Sequence, residues 1–78
     1  MLTNGGYEII IASPPDHDEL VAEINYDGRF FALVSQEAGS FFFETPPPGL
    51  VEEQLNRKVP LAGLHEAIDR AVRHLKGK

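Results

Sequence analysis

The chain contains no cysteine among its 78 residues. Disulfides and thiolate zinc sites are therefore excluded, and a cytoplasmic location is the expectation that fits. The N-terminus also lacks the basic start and long apolar run of a signal peptide, and its short apolar run at residues 9–12 predicts a strand. The length predicts a single domain, residues 1–78, whose small core favours a surface site over a deep cavity.

Basic residues are nearly missing from the first 56 positions, where ten carboxylates accompany only Arg29 and the net charge is −9. Residues 57–78 carry six basic and two acidic side chains, a net charge of +4. An acidic surface repels phosphate backbones and attracts basic proteins, so we expect a basic protein partner and no direct nucleic-acid binding. The alternative is that the acidity only keeps a small domain soluble.

Runs of β-branched and aromatic residues between turn signals predict four strands, at Tyr7–Ser13, Leu20–Tyr26, Arg29–Gln36 and Ser40–Thr45. Asp27-Gly28 separates the middle two strands. Because both central residues of a type I′ turn have positive φ, this pair is the strongest hairpin signal in the chain. At the next turn we expect a type I turn over Glu37-Ala38, with Gly39 as a left-handed bulge residue.

Three prolines end the fourth strand, and residues 46–56 are expected to form an acidic loop, with a short fifth strand at residues 57–59 as an open alternative. From Leu61 the apolar period changes from two to about 3.6. This change predicts an amphipathic helix that ends at Gly77 and whose apolar stripe is Leu61, Leu64, Ile68, Ala71, Val72 and Leu75. The expected fold class is α+β: a four- to five-stranded antiparallel meander packed on one C-terminal α-helix.

The two-residue turn at Asp27-Gly28 sets the register of the sheet. It pairs Ile24 with Phe31 and Ala22 with Leu33 on the side beneath the helix. With Gly39 as a bulge residue, that side also includes Phe41 and Phe43. Without the bulge, these two side chains would turn outward and Phe42 inward.

The opposite side of the sheet is expected to display apolar side chains among carboxylates. It holds, strand by strand, Val21, Glu23 and Asn25; Phe30, Ala32 and Val34; and Phe42 and Glu44. Glu23, Ala32 and Glu44 form one cross-strand row. Because one helix covers only one side, this face is expected to be an interface, unless residues 46–56 or the N-terminal residues fold over it.

Patterns for catalysis and for metal binding are weak. His65 and Asp69 are one helical turn apart, but no third ligand is near, so a solvated pair is the interpretation. The polar loop at residues 16–19 lacks the ligand spacing and the glycine of a calcium loop. Glu23 and Glu44 could form the carboxylate pair of a glycosidase, but so small a domain offers no sugar cleft. We therefore expect no enzyme, no metal and no cofactor.

The stretch IIIASPPDHDELVAEINYDGRFFALVSQE (residues 9–37), followed after an acidic loop by RKVPLAGLHEAIDRAVRHL (residues 57–75), resembles small bacterial immunity proteins. These belong to polymorphic-toxin and contact-dependent growth-inhibition systems. The resemblance implies a cytoplasmic protein that binds a toxin domain tightly and blocks its active site or its substrate path. Many such toxins are basic nucleases, and an acidic face would compete with nucleic acid and speed association.

The candidate partner-binding residues combine aromatic anchors with carboxylates that steer the partner: Glu23, Phe30, Phe42 and Glu44, with Glu52 and Glu53 on the rim. Two alternatives stay open. One is a small homo-oligomeric structural or interaction protein, in which the open face or an edge strand pairs with itself. The other is a phage-type protein inhibitor of a host complex.

Overall fold

The computed structural model describes residues 6–46 and 52–77, and these residues form the α+β fold that the sequence predicts. Its single antiparallel sheet has the order β1-β2-β3-β4, with β1 at Tyr7–Ala12, β2 at Val21–Tyr26, β3 at Arg29–Glu37 and β4 at Ser40–Glu44. A short 3₁₀ helix at Glu52–Gln54 and the helix α1 at Leu64–Lys76 follow. Within these ranges no helix combines the length and the apolar character needed to cross a bilayer.

The first hairpin forms where the sequence predicts it. Asp27 and Gly28 both have positive φ, 53° and 78°, as the two central residues of a type I′ turn require. Tyr26 and Arg29 pair directly across the turn, which confirms the two-residue loop. Aspartate suits the first position because its short polar side chain tolerates the left-handed region.

The second hairpin differs from the prediction. Ala38 and Gly39 both have positive φ, 51° and 87°, and Glu37 pairs with Ser40. The connection is therefore another two-residue turn, and the expected type I turn with Gly39 as a bulge residue is wrong. Alanine rarely adopts positive φ, because its Cβ crowds the carbonyl oxygen that follows, so the local sequence gives no sign of the shorter turn.

The sheet does contain a β-bulge, but it lies in β3. Asn25 pairs with Phe30 and Ile24 pairs with Ala32, so Phe31 is the extra residue. A bulge places one residue too many on one strand and shifts all later pairs by one position.

This shift overturns part of the predicted register. The expected pairs of Ile24 with Phe31 and of Ala22 with Leu33 are wrong, since Ala22 lies opposite Val34. Two side chains expected on the open side are therefore buried on the helix side: Ala32 and Val34.

Phe41 and Phe43 nevertheless lie on the helix side, as predicted. Phe43 pairs with Val34 and Phe41 pairs with Gln36. The bulge in β3 and the shorter second turn each move the register by one residue, and the two shifts cancel. Phe43 contacts the ring of Phe31, with 6.0 Å between ring centroids.

The helix begins later than the periodicity predicts. Its N-cap is Gly63, which has a φ of 87°, and the first helical residue is Leu64. Leu61 is 83% exposed, so its place on the apolar stripe is wrong. The predicted end at Gly77 is confirmed, because this residue caps the helix and its N–H bonds to the Arg73 carbonyl.

The segment before the helix forms no fifth strand at residues 57–59. Leu55 instead makes an isolated parallel bridge with Phe30, beyond the point where β4 ends, and Leu55 is 5% exposed. The Asn56 side-chain amide donates hydrogen bonds to the carbonyls of Tyr26 and Arg29. The end of the acidic loop is thus fastened to the first hairpin.

The core lies between α1 and the sheet, mainly over β1 and β2. Its buried members are Tyr7, Ile9, Ala22, Ile24, Val34, Ala67, Ala71 and Leu75. The Tyr7 hydroxyl donates to the Pro60 carbonyl, and its ring lies 4.8 Å from that of Tyr26. Burial, followed by the charge of Tyr26, raises the pKa of Tyr7. The hydrogen bond from Tyr7 to Pro60 joins the segment before α1 to the first strand.

Candidate functional site

The side of the sheet away from α1 is the candidate site, and we call it the open face. Successive side chains of a strand point to opposite sides, so the register determines its members. They are Glu8, Ile10 and Ala12 of β1; Val21, Glu23 and Asn25 of β2; Phe30, Leu33, Ser35 and Glu37 of β3; and Ser40, Phe42 and Glu44 of β4.

Two carboxylates flank an apolar side chain in one cross-strand row of the open face. Glu23 pairs with Leu33, and Leu33 pairs with Glu44. The expected row had Ala32 at its centre, and the bulge in β3 replaces that residue with Leu33. The larger leucine is partly exposed, so the row presents more apolar surface between its carboxylates than the sequence predicted.

Exposure divides the open face into a covered and an uncovered part. Phe42 is 47% exposed and Ile10 is 38% exposed, while Phe30 is half-buried beside the Leu55 bridge. Val21, expected to be displayed, is only 1% exposed. The uncovered part therefore lies around Phe42, Ile10 and the Glu23 row.

The two rim candidates lie away from these strands in sequence. Glu53 is exposed within the 3₁₀ helix at Glu52–Gln54. The side chain of Glu52 lies outside what the structure describes. The rim role of both residues stays a prediction.

The loop between β1 and β2 contacts the open face through His17. The imidazole Nε2 lies 3.3 Å from Glu44 Oε2, and Nδ1 lies 3.1 Å from Asp16 Oδ1. The Ser35 hydroxyl, which is fully buried, donates to the same Glu44 oxygen. Four side chains from the loop, β3 and β4 thus form one connected network, which we call the His17 network: Asp16, His17, Ser35 and Glu44.

Hydrogen bonds within the His17 network shift the pKa of each titratable member. The hydrogen bond from Ser35, with a smaller contribution from His17, lowers the pKa of Glu44. The hydrogen bond to His17 lowers the pKa of Asp16. The hydrogen bonds to Asp16 and then to Glu44 raise the pKa of His17. All three shifts favour a protonated histidine between two ionised carboxylates.

The order of contacts in this network differs from that of a nucleophilic triad. Ser35 donates to Glu44 and not to His17, whereas an activated serine needs a base that accepts its proton. A carboxylate that holds both the hydroxyl and the imidazole positions them without activating either. Through Glu44, the network holds the loop between β1 and β2 against the open face.

A cleft of about 420 Å³ lies next to the network. Its walls come from the loop between β1 and β2 and from the end of β3, and they are Asp16, His17, Asp18, Glu19, Gln36, Glu37 and Ala38. Within the described ranges, no group of three or more histidine or carboxylate side chains is placed to hold a metal ion. His65 and Asp69 do not belong to the cleft, since they lie on α1.

One polar atom of the open face is buried without a partner in the described part of the chain. This atom is Asn25 Oδ1, on the β2 residue opposite the bulge. An unpaired buried carbonyl oxygen costs about 1–3 kcal/mol. Asn25 is therefore a local weak point beside Phe30.

The His17 network is the part of the candidate site that sequence reasoning missed. The sequence showed a polar loop at residues 16–19 and a glutamate in β4, but their 27-residue separation hides the contact. A correct register would have placed Ser35 beside Phe42 and next to Glu44 on one face. No local signal shows that the loop folds back over that face.

Comparisons of the chain with protein-family models, with curated proteins and with solved structures found no match.

Proposed function

We propose that this protein is a cytoplasmic immunity protein that binds and neutralises a cognate bacterial toxin domain through the open face. The partner would be a basic protein, such as a nuclease, and the chain itself would act without catalysis, cofactor or metal. The resemblance of residues 9–37 and 57–75 to immunity proteins supports this proposal. The rest of the support is the physical character of the open face.

The observation that carries the proposal is the row of Glu23, Leu33 and Glu44 beside the exposed Phe42. Glu8 and Glu37 add two further carboxylates, and no lysine or arginine occupies a strand position of the open face among the residues that the structure describes. Aromatic anchors surrounded by complementary charge are typical of tight protein interfaces. A basic partner is the occupant that this charge favours.

The helix side is a poorer candidate for a charged partner. Arg70 lies 3.2 Å from Glu66, and Arg73 lies 2.8 Å from Asp69, both four residues apart on α1. These pairs neutralise much of the positive charge of the helix within α1 itself. The open face, whose strand positions carry carboxylates and no basic residue in the described part of the chain, is therefore the better candidate for a basic partner.

Charge reversal on the open face tests the proposal. The probe is the product of the gene directly upstream of this one, since an immunity gene is expected downstream of its toxin gene. Glu23→Lys should weaken the complex at least tenfold in a titration at low salt, mainly through slower association. Asp69→Lys, which makes the same charge change on α1, is the matched control and should keep the affinity within about twofold.

The combined change Glu23→Lys with Glu44→Lys should abolish protection of growth when the upstream gene is co-expressed. Circular dichroism first verifies the fold of the variant, because Glu44 also holds Ser35 and His17. If both Glu23→Lys and the double variant bind the upstream product as tightly as the wild type, the open face is not the interface. If the wild-type protein itself does not bind that product, the immunity function is refuted.

A second candidate function is self-association through β4. This strand is at the edge of the sheet, and its Phe42 and Phe43 are each 47% exposed, on opposite sides. An exposed apolar edge strand is a ready template for another strand. Light scattering over a range of concentrations decides: a monomer excludes this candidate, while a dimer that persists on dilution supports it.

A further inference from the structure

The geometry around His17 favours the protonated form of its ring. Each ring nitrogen lies within hydrogen-bond distance of a carboxylate oxygen, Asp16 Oδ1 on one side and Glu44 Oε2 on the other. Ionised carboxylates only accept hydrogen bonds, and a neutral imidazole has a single N–H to donate. Both contacts are satisfied together only by the imidazolium, which donates from both nitrogens.

The contact between His17 and Glu44 joins two parts of the chain that are 27 residues apart in sequence. His17 belongs to the loop between β1 and β2, and Glu44 ends β4 at the far edge of the sheet. Beneath the contact, Ser35 is fully buried and Val21 is 1% exposed. The contact of His17 with Glu44 thus holds the middle of the loop over this part of the open face, while the Gln36 side-chain amide donates to the Leu20 carbonyl and holds the end of the loop.

We propose that His17 is a pH-sensitive latch: when protonated it fastens the loop between β1 and β2 onto Glu44, and when neutral it releases the loop from the open face.

The other charged groups around the latch favour the protonated form. The loop itself contributes Asp16, Asp18 and Glu19, β3 contributes Glu37, and β4 contributes Glu44. No lysine or arginine lines this cleft in the described part of the chain. An imidazolium surrounded by carboxylates is stabilised by each of them, and more strongly by those it contacts.

The direction of the pH dependence follows from the shifts in the network. The pKa of His17 is higher in the folded than in the unfolded protein. The stability that protonated His17 contributes is therefore complete below its unfolded-state pKa of about 6.5. It is lost as the pH rises through its folded-state pKa. The pKa of Glu44 is lowered, so its contribution is complete above about 4.3 and is lost as the pH falls through the folded value. The latch is therefore complete between about pH 4.3 and about pH 6.5.

The latch has a consequence for binding that rests on the proposed function. While the loop is fastened, His17 neutralises Glu44, one of the carboxylates expected to attract a basic partner. A partner must displace the imidazolium, or bind after the pH has risen enough to neutralise it. We expect the affinity for a basic partner to increase as the pH rises through the folded-state pKa of His17.

The latch is tested in the isolated protein, so that its failure is distinguishable from failure of the proposed function. The C–H resonances of His17 are titrated by NMR in the wild type, in Glu44→Gln and in Asp16→Asn. Both substitutions should lower the titration midpoint of His17, with the larger drop in Asp16→Asn. Glu23→Gln, which removes a carboxylate from the same face away from His17, is the matched control and should give the smallest change.

His65 and His74 on α1 serve as internal references for the integrity of the fold during this titration. Glutamine at position 44 keeps a carbonyl oxygen for Ser35, so the substitution removes the charge and preserves the buried hydrogen bond. If Glu44→Gln leaves the His17 midpoint where it is in the wild type, the latch is refuted. A drop no greater than that in Glu23→Gln refutes it as well.

A second measurement keeps the proposal open to refutation if Glu44→Gln does not fold. The stability of the wild type and of His17→Gln is compared by urea denaturation from pH 6 to pH 9. The wild type should lose its advantage over the variant as the pH rises, and the loop at residues 16–19 should become more mobile in ¹⁵N relaxation. Parallel stability curves with an unchanged loop would contradict the latch.

Discussion

On its helix side the sheet has one half that α1 covers and one half that it leaves open. In the covered half, over β1 and β2, Ala67, Ala71 and Leu75 of α1 are at most 3% exposed and share a core with Ile9 and Ile24. In the open half, β4 keeps Phe43 47% exposed. A shallow apolar groove of about 150 Å³ lies there, lined by Val34, Phe41, Phe42, Phe43, Ile68 and Val72.

The size of the side chains explains this difference. Three alanines, Ala22, Ala67 and Ala71, lie in the covered contact, and their small side chains let α1 approach the sheet closely. Phenylalanines occupy the other half, and side chains of that size do not allow so close an approach. The covered half therefore supplies most of the core, whereas the open half and the open face keep large apolar side chains exposed.

The largest expected effect is a truncation in the covered half. Ile24 is fully buried between α1 and the neighbouring strands, so Ile24→Ala should cost about 2–5 kcal/mol through lost burial and the cavity left behind. Such a loss is a large share of the stability of a domain of this size. Urea denaturation followed by far-UV circular dichroism measures it.

Phe43→Ala in the open half is the comparison variant for Ile24→Ala. Although phenylalanine is larger than isoleucine, Phe43 is nearly half exposed, and its truncation should cost about 1–2 kcal/mol. Equal losses in the two variants would show that both halves are packed equally tightly. The conclusion that the covered half is packed more tightly than the open half would then be wrong.

An intermediate effect is expected from exchanging the two hairpin turns. Ala38 holds a left-handed conformation that costs a residue with a Cβ about 1 kcal/mol, whereas the first turn has the favourable Asp27-Gly28 pair. Ala38→Asn creates an Asn-Gly turn and should stabilise the protein by about 0.5–1 kcal/mol. Thermal unfolding should show a higher midpoint.

The reciprocal change is the control for the turn exchange. Asp27→Ala gives the first turn the alanine of the second, and should destabilise the protein by about the amount that Ala38→Asn gains. A loss of stability in Ala38→Asn would mean that the second turn does not have the type I′ geometry that its φ values indicate.

The fold was predictable because its main signals are local. The Asp27-Gly28 turn, the alternation along the strands and the 3.6-residue period after Leu64 each depend on neighbouring residues only. The bulge at Phe31 and the positive φ of Ala38 are different, since alanine seldom adopts positive φ and no turn or glycine signal marks the bulge. Both depend on how the strands pair, and neighbouring residues alone do not determine that pairing.

For the candidate site, the sequence predicts which side of the sheet several of its side chains occupy. Glu23 and Glu44 share the open face with Phe42, as expected, because the two register errors cancel at β4. Leu33 at the centre of their row depends on the bulge. The contact of His17 with Glu44 depends on the path of a loop, which neither periodicity nor turn signals determine.

The smallest expected effect on stability comes from Phe42, and it sharpens the comparison most. Phe42 and Phe43 are adjacent and equally exposed, but Phe43 contacts Phe31 on the helix side and Phe42 pairs with Ser35 on the open face. Phe42→Ala should therefore change the free energy of unfolding by no more than about 0.5 kcal/mol, against about 1–2 kcal/mol for Phe43→Ala.

The same pair of variants separates folding from recognition. If Phe42 is an anchor for a partner, Phe42→Ala should weaken the complex with the upstream gene product by at least about 2 kcal/mol while the fold stays as stable as the wild type. Phe43→Ala should lower the stability of the fold and leave the affinity for the upstream gene product unchanged. If Phe42→Ala costs as much stability as Phe43→Ala, its ring is already packed within the chain, and it is not available as the anchor of an interface on the open face.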